Sequence, residues 1–515
     1  MLFNSYVFLL CFLPCTLLIY QVVSRFHRKA VVIWLGLASL IFYGYFRPAF
    51  LLVLGASILV NFLISCMISR RIPNAISTRL LLWAAIALNL GALCWFKYLF
   101  PLLNFVNGHL HLGRQWSNVL LPLGISFFTF TQIAFLVDLQ QGAAVQQDFF
   151  SYLLFVTFFP HLIAGPILHH RDIMPQFQQN RSYGLSFHDL AIGFSWFAMG
   201  LFKKVIIADN LAPTADVIFA MHGHVRTGEA WVGVLSYVFQ LYFDFSGYCD
   251  MACGLARMFS IDFPLNFSSP YKASSIIDFW QRWHMTLSQY IGSYLYSPIQ
   301  FLISAHRQNR GKKVSRKAQA TPVGFLQMVA VPTLLTMFIA GYWHGAGLQF
   351  AVFGILHGLY LTANHGWRLY RHARKIAPLE GTPGNLATGG RVMLTFLCVT
   401  ISLVFFRATG VREAVRLLER MAFLHDARAV PALGDMHTKL IQLAAVAIIV
   451  WAFPNTQQIL ARYKPALELA PSDQTRRLLP LYWEPNLAWS LFVGGVILVA
   501  LVNLQNPSSF LYFQF

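Results

Sequence analysis

Long apolar runs, repeated along almost the whole chain, constrain this sequence more than any other feature. Each run approaches the roughly 20 residues that an α-helix needs to cross the ~30 Å hydrocarbon core of a bilayer. Of the 515 residues, 57% are apolar and 11% are charged, whereas globular domains carry roughly 25% charged residues. This composition excludes a soluble enzyme, a disordered protein and a nucleic-acid-binding domain, and it predicts a polytopic membrane protein.

The apolar runs predict an all-α fold with about 11 to 14 helices that cross the membrane or re-enter it. No internal repeat, heptad array or soluble appendage accompanies them, so the chain is interpreted as a single membrane domain over residues 1–515. The runs lie near 5–24, 30–46, 48–68, 80–101, 119–137, 149–168, 187–208, 231–256, 323–342, 347–364, 391–407, 438–454 and 485–504.

The charged residues predict how the chain is oriented. Lys and Arg number 38 against 19 Asp and Glu, and no acidic residue precedes Asp138. The basic residues fall in short gaps between apolar runs, which is typical of cytoplasmic loops. A basic cluster at 25–29 follows the first run, so the N-terminus is expected outside; the basic segments 304–320 and 368–375 are expected inside. The seven cysteines are odd in number and lie in or beside apolar runs, which favours small hydrophobic residues over disulfide partners.

Residues 157–360 differ from the rest because polar, ionisable and aromatic side chains crowd into sequence otherwise fit for lipid. An ionisable group at membrane depth is costly and by default indicates function. The first segment of this block, FPHLIAGPILHHRD at 159–172, contains two prolines and a glycine, and we interpret it as a structured turn. Its adjacent His169 and His170 lack the i, i+4 spacing that puts two ligands on one helical face, so no metal site is predicted.

The second segment, QLYFDFSGYCDMACG at 240–254, places Asp244, Ser246 and Asp250 in an apolar run. Buried carboxylates must be paired, hydrogen-bonded or protonated. Two interpretations remain open for these carboxylates: a structural network around a broken helix, or the lining of a substrate cavity.

The third segment, SSIIDFWQRWHMTLSQY at 274–290, carries a helix start signal. Ser275 with Asp278 three residues later fits a capping box. Asp278 and Arg282 are four residues apart, so the two side chains are expected to pair on one helical face.

Two tryptophans and a histidine share the same segment. Trp280 and His284 also lie four residues apart, which predicts that they share a face of the helix. With Trp283 and the charged pair, the pattern favours a helix lying at the membrane interface. Taken alone, His284 fits a structural role as well as a functional one.

The fourth segment, GYWHGAGLQFAVFGILHG at 341–358, has Trp343 and His344 between two apolar runs and His357 in the second. Glycines beside His344 allow backbone or a ligand to approach its imidazole. An imidazole has a pKa near neutrality, so it is suited to take a proton from a hydroxyl. A satisfied core histidine is the alternative.

These four segments, read together as FPHLIAGP, LYFDFSGYCDMA, DFWQRWHMTLS and WHGA…HG, resemble the membrane-bound O-acyltransferase (MBOAT) family in its bacterial alginate O-acetyltransferase branch. The resemblance is strong over 120–365 and looser before it. It implies helices around a central funnel, with N-terminal helices at 1–118, a catalytic core at 119–365 and C-terminal helices at 366–515. One departure is that the branch's usual Arg-Asp pair is replaced by Gly292-Ser293.

The resemblance implies an enzyme that moves an acetyl group from a thioester donor to a hydroxyl. The family's catalytic histidine falls on His344, and a second site histidine of the branch falls on His284. The substrate-binding residues predicted with them are Asp244, Ser246, Asp250, Trp280, Arg282, Trp283, Trp343 and His357.

The expected donor is acetyl-CoA or an acyl-carrier thioester, and no bound metal or other cofactor is expected. The acceptor would be an extracytoplasmic polysaccharide, reached through a periplasmic partner protein. Membrane lipid is an expected partner and nucleic acid is not. The segments 304–320 and 368–375 would act as topology determinants or contact the donor's phosphates. The resemblance places the protein in the bacterial inner membrane.

Other functions remain open at the level of sequence. One is transfer of a different acyl group, such as D-alanine from a carrier protein. Another is transport or flipping of sugars or lipids, although transporters commonly show two related halves with broken helices in each. Here the polar residues form a single block.

Overall fold

In a computed structural model, the chain folds into α-helices joined by short turns. The structure describes residues 1–70, 75–110, 120–146, 148–178, 184–376, 386–423, 431–464, 466–467, 481–505 and 510–511, and no β-strand occurs within these ranges. The longer helices are α1 (Leu13–Val23), α2 (Arg28–Gly44), α3 (Ala49–Ser69), α4 (Ile76–Cys94), α5 (Phe100–Leu110), α6 (Ile125–Gln140), α9 (Phe187–Phe202), α10 (Asp209–Ala220), α11 (Thr227–Met258), α14 (Ser297–Asn309), α17 (Val331–Trp343), α18 (Leu348–Ala373), α19 (Leu386–Arg407), α20 (Val411–Met421), α21 (Met436–Ala452) and α23 (Leu487–Val502). The shorter ones are α7 (Phe149–Thr157), α8 (His170–Gln178), α12 (Ile276–Trp280), α13 (Met285–Ile291), α15 (Arg316–Gln319), α16 (Pro322–Phe325) and α22 (Thr456–Ile459).

Short π-helical segments join several of these helices into longer rods. They are Val7–Phe12 before α1, Trp95–Leu99 between α4 and α5, Lys203–Ala208 between α9 and α10, Gly292–Tyr296 between α13 and α14, and Leu326–Ala330 between α16 and α17. By length and composition, five described helices can cross a membrane, over 49–69, 76–108, 187–220, 322–343 and 386–407. Shorter apolar helices lie at 7–23, 125–140, 436–452 and 487–502, so the all-α membrane fold is confirmed. The predicted boundary at 118 between N-terminal helices and core lies outside the described residues.

The apolar run predicted at 149–168 is helical only in its first half. Helix α7 ends at Thr157, and residues 158–169 form turns and irregular backbone, which confirms the turn predicted there. Proline cannot donate a backbone hydrogen bond, and Pro160 and Pro166 both lie in this stretch. A Cβ on Gly165 would lie 2.5 Å from the Cα of His161, so only glycine fits at this sharp bend.

The core is organised around the antiparallel contact of α9 with α11. Glycines bring the two backbones together at two places: a Cβ on Gly193 would lie 2.6 Å from the carbonyl oxygen of Gly254, and a Cβ on Gly200 would lie 2.6 Å from that of Gly247. Small residues at helix contacts are common in membranes, where close van der Waals packing drives helix association. The seven-residue spacing repeats the contact along the same face of each helix.

Helices α17 and α18 form a second antiparallel pair. A Cβ on Gly341 would lie 2.5 Å from the carbonyl oxygen of Phe350, and one on Gly354 would lie 2.3 Å from that of Met337. These close approaches allow the chain to reverse within the four residues 344–347. The predicted histidine of the fourth segment therefore lies at a tight interhelical turn.

The glycine contact between α9 and α11 predicts that adding one methyl group there destabilises the protein, whereas adding one at an open glycine does not. Gly200→Ala is expected to lower the melting temperature of the detergent-solubilised protein, because overpacking typically costs about 1–3 kcal/mol. Gly91→Ala is the matched control, since nothing lies within 4 Å of a Cβ built there. Equal melting temperatures for the two variants would contradict the packing argument.

Candidate functional site

Three breaks in the helices meet at the candidate site: the irregular stretch 158–169, the kink between α12 and α13, and the turn between α17 and α18. The backbone N–H of Ile167 donates to Oγ1 of Thr286 at 2.9 Å, which joins the first break to the second. The ring of Trp343 lies 5.3 Å from that of Phe130, and Phe130 stacks on Tyr290 of α13 at 5.1 Å. Residues from all three breaks therefore belong to one packed region.

His344 lies at the end of α17 and lines a small cavity. Its ring packs edge-on against Phe406 at 4.8 Å between centroids. The cavity has a volume of about 70 Å³. Lys97, residues 121–127, Ile163, Trp343 and His344 line it. The His344 imidazole lies within electrostatic range of the ionisable side chains Lys97 and His284, so the two predicted histidines are neighbours.

Lys97 stabilises the turn that carries His344, although it lies outside the four segments from which the site residues were predicted. Its Nζ donates to the carbonyl oxygen of Trp343 at 2.5 Å, and the Tyr98 hydroxyl lies 3.1 Å from the carbonyl oxygens of Tyr342 and Trp343. A cation at the carbonyl end of a helix satisfies its last acceptors and opposes the helix dipole. A lysine inside the apolar run 80–101 was the signal available in the sequence, because a charge at membrane depth indicates a specific role.

His284 is the buried histidine whose second nitrogen is available for chemistry. Its side chain is 2% exposed, and its Nδ1 lies 3.0 Å from Oδ1 of Asn266. That amide atom is an oxygen, since it also accepts from the Thr286 backbone N–H at 3.2 Å and from the Thr286 hydroxyl at 2.9 Å. The proton of neutral His284 therefore sits on Nδ1, which leaves a lone pair on Nε2. Among the described residues, nothing hydrogen-bonds Nε2.

The backbone of His284 explains why the third segment is not one helix. Helix α12 begins after Ser275, whose hydroxyl caps the N–H of Asp278 at 3.1 Å, and the Asp278–Arg282 pair forms at 2.6 Å, as predicted. The helix ends at Trp280, and His284 adopts φ +43°, the left-handed region. The prediction that Trp280 and His284 share a helical face is therefore wrong. The backbone N–H of Met285 donates to the Asn266 carbonyl at 2.9 Å and stabilises the kink.

His357 differs from His284 because both of its ring nitrogens are engaged. The Trp280 indole N–H donates to Nδ1 at 3.2 Å, and Nε2 lies 2.9 Å from the Ser402 hydroxyl. These bonds join α12, α18 and α19. The substrate-binding role of His357 and Trp280 stays a prediction, and the contacts show that both hold the helices around the site.

Asp244 and Asp250, both buried on α11, are ion-paired with consecutive lysines of the π-helical segment. Lys204 Nζ lies 2.6 Å from Asp244, and Lys203 Nζ lies 2.5 Å from Asp250. Asp250 also accepts from the Trp196 indole at 3.0 Å and from the Thr456 hydroxyl at 2.8 Å. A structural network is thus present, but the broken helix expected with it is not, since α11 is continuous over Thr227–Met258. The substrate-binding role stays a prediction.

The remaining predicted residues, Arg282, Trp283, Ser246 and Trp343, differ in their partners. Arg282 is occupied by Asp278, and Trp283 packs on Phe279, with 5.7 Å between centroids. The hydroxyl of Ser246 and the indole N–H of Trp343 are buried without a hydrogen-bond partner among the described residues. Their roles in substrate binding stay predictions.

Taken together, the fold and the site define a helical membrane protein with two histidines at breaks in its helices. One of these histidines, His284, has a ring nitrogen without a hydrogen-bond partner among the described residues. The MBOAT family model, described as the membrane-bound O-acyltransferase family, matches residues 126–312. The chain is 38% identical to the peptidoglycan O-acetyltransferase of Helicobacter pylori, over 100% of this chain and 98% of that protein. It is 31% identical to the probable alginate O-acetylase of Pseudomonas putida over the full length of both.

The chain belongs to the membrane-bound O-acyltransferase family, as the resemblance implied, and it is an acyltransferase. A more distant relative is the teichoic acid D-alanyltransferase of Streptococcus thermophilus. The two sequences are 24% identical over 55% of this chain and 68% of that protein.

Asn266 positions the His284 imidazole, so substituting Asn266 is expected to lower the rate of the reaction. Asn266→Ala is expected to lower the turnover number about tenfold, because losing a hydrogen bond worth roughly 1–1.5 kcal/mol frees the imidazole to rotate. Asn266→Asp keeps an oxygen for Nδ1 and should retain more activity. Turnover measured at equal amounts of folded protein distinguishes them, and an equal loss in both variants would refute the orienting role.

Lys97 and Tyr98 both bind carbonyl oxygens at the turn between α17 and α18, so substitutions of the two residues can be compared directly. Lys97→Met is expected to lower both the melting temperature and the activity more than Tyr98→Phe does. The reason is that hydrogen bonds from charged groups contribute about 1.5–3 kcal/mol and those from neutral groups about 0.5–1.5 kcal/mol. Thermal unfolding in detergent measures the difference, and a larger effect of Tyr98→Phe would contradict the capping role.

Proposed function

We propose that this protein transfers an acetyl group from a thioester donor to a hydroxyl, for the O-acetylation of an extracytoplasmic glycan through a periplasmic partner protein. The observation that carries the proposal is the presence of two histidines at neighbouring helix breaks: His344 lines a cavity, and His284 has an Nε2 lone pair without a hydrogen-bond partner among the described residues. Full-length relatives named as O-acetyltransferases of peptidoglycan and of alginate support the acetyl group and the glycan acceptor.

In the proposed reaction, His344 is the base. It takes the proton of the acceptor hydroxyl as that oxygen attacks the thioester carbonyl, and general-base catalysis of this kind contributes about 10²- to 10⁴-fold. The tetrahedral intermediate collapses by breaking the carbon–sulfur bond. The proton held on His344 then returns to the departing thiolate, so that the ester and the free thiol are formed and both histidines are neutral again.

His284 fits an orienting role in this scheme. A histidine beside the thioester can either orient the thioester or donate a hydrogen bond to the developing oxyanion. Because its proton is held on Nδ1 by Asn266, neutral Nε2 accepts a hydrogen bond and does not donate one. We therefore assign His284 to holding an N–H group of the donor, such as an amide of a pantetheine arm.

The donor is proposed to be acetyl-CoA, or an acyl-carrier thioester, arriving from the cytoplasmic side. The two basic segments border cavities that suit its phosphates. One cavity of about 340 Å³ is lined by His306, Arg307, Arg310 and Lys312 together with apolar side chains. A larger one of about 880 Å³ includes Arg368, Arg371, His372 and Arg391. Clustered cations beside an apolar wall favour a ligand with a charged end and an uncharged arm.

The orientation is part of the proposal. With the N-terminus outside and the basic segments in the cytoplasm of a bacterial inner membrane, the donor and the glycan lie on opposite sides. The acetyl group would cross the membrane without movement of the carrier. A periplasmic protein would then pass the group to the polymer.

The first test is the amount of base-labile acetate on the glycans of a deletion strain that carries either wild-type protein or His344→Ala. Acetate is measured separately on peptidoglycan and on secreted polysaccharide, at matched amounts of membrane protein. His344→Ala is expected to lower one of the two by about 100-fold or more. His437→Ala is the control, since His437 is exposed on α21.

The same extracts distinguish the alternatives. Base-labile D-alanine lost in place of acetate would replace acetyl by another acyl group, in line with the more distant D-alanyltransferase relatives. Unchanged acetate and D-alanine would overturn the assignment of His344.

A further inference from the structure

A second cluster of histidines contains neither of the two described above. Asp138 is near the end of α6, His169 immediately precedes α8, and His170 is its first residue. One possible ligand atom from each lies within 4.8 Å of the others. All three are at least half-buried, and His170 is buried.

The spacing of the ligand atoms fits a tetrahedral metal ion. Oδ2 of Asp138 lies 3.1 Å from Nε2 of His169 and 3.4 Å from Nδ1 of His170. Zinc binds imidazole nitrogens and carboxylate oxygens at about 2.0–2.2 Å, so neighbouring corners of its tetrahedron are about 3.3–3.5 Å apart. These two separations are close to the zinc values, and the ligand atoms of the two histidines lie within 4.8 Å of each other.

The Nδ1 atom of His170 is directed into the cluster. It is buried without a hydrogen-bond partner among the described residues, and it lies 3.4 Å from Oδ2 of Asp138. In the neutral tautomer that carries its proton on Nε2, the Nδ1 lone pair faces this carboxylate oxygen, and a cation between the two atoms relieves the repulsion. Histidines that bind metals commonly use one ring nitrogen for the ion and the other as a hydrogen-bond donor.

The neighbouring Tyr294 completes the surroundings. Its hydroxyl donates to Oδ2 of Asp138 at 2.7 Å and lies 2.5 Å from Nε2 of His169. Tyr294 belongs to the π-helical segment Gly292–Tyr296, so three separate parts of the chain meet at the cluster. A metal ion here would clamp α6 and the irregular stretch 158–169 to the rod that begins at His284.

Adjacent histidines cannot share one face of a helix, which is why no metal site was predicted. The chain at His169 is not helical, so that spacing rule does not apply here. The two imidazole rings lie 4.7 Å apart between centroids and both approach Asp138, which comes from a different helix. Asp138 lies outside the segment 159–172, so a local sequence motif does not reveal it as the third ligand.

We propose that Asp138, His169 and His170 bind one divalent transition-metal ion, with zinc as the best fit to two imidazoles and one carboxylate. The fourth position, beside the Tyr294 hydroxyl, remains for water or for that oxygen. The site is structural and takes no part in the acyl transfer proposed above.

The test uses full-length protein purified in detergent with a tag free of histidine. After treatment with chelator and dialysis, wild-type protein is expected to take up one equivalent of Zn²⁺, counted by mass spectrometry of the metal. Substituted Co²⁺ should give the visible absorption of a tetrahedral site. Asp138→Asn and the double variant His169→Ala/His170→Ala are expected to lose this uptake.

The control is His188→Ala, because His188 lies 3.6 Å from Asp189 without belonging to the three-residue cluster. It should bind the same amount of metal as the wild type. If a variant fails to fold, the Co²⁺ spectrum of the wild type still decides. Wild-type protein that takes up no metal, or variants that bind it as the wild type does, would overturn the site.

Discussion

The structure depends on satisfying backbone groups where helices break inside an apolar protein. Lipid offers no hydrogen bonds, so irregular backbone at membrane depth must find partners within the protein. At the stretch 158–169, the N–H of Phe159 donates to the Ser39 hydroxyl at 3.0 Å and that of Ile167 to the Thr286 hydroxyl at 2.9 Å. At the end of α17, Lys97 and Tyr98 serve the last carbonyls. Each break is therefore held by a specific side chain from another helix.

Hydrogen bonds at these breaks also distinguish the histidine that is available for chemistry from the one that is structural. Asn266 accepts from three donors, and in doing so it fixes the kink, the stretch around Ile167 and the tautomer of His284 together. His284 is left with a bare nitrogen as a by-product of that network. His357 is equally buried but is bound at both nitrogens and serves as a pin between helices. The residue type alone does not distinguish the two; their partners do.

The sequence predicted the class of fold and the positions of most apolar helices because hydropathy is a local property. It also predicted the Ser275 cap and the Asp278–Arg282 pair, which are contacts within one turn. It missed the kink at His284 because that kink depends on Asn266, which lies 18 residues earlier and accepts from Thr286. Lys97 and Trp343, and likewise Lys204 and Asp244, are separated by still more residues in the sequence. Contacts between such distant residues depend on how the helices pack, and local sequence spacing does not predict them.

The two lysines at the junction of α9 and α10 have a consequence for how the protein is made. Lys203 and Lys204 lie mid-way along an apolar rod of 34 residues, and each unpaired charge at the centre of a helix costs about 2.5–3.5 kcal/mol to insert. Lys204 pairs with Asp209 of the rod itself, but its second partner Asp244 and the Lys203 partner Asp250 lie on α11, which follows after a short turn. Insertion of the rod alone from the translocon into the bilayer is therefore unfavourable. Insertion is most favourable when the rod and α11 enter the bilayer together as a helical hairpin, in which the lysines are paired with carboxylates.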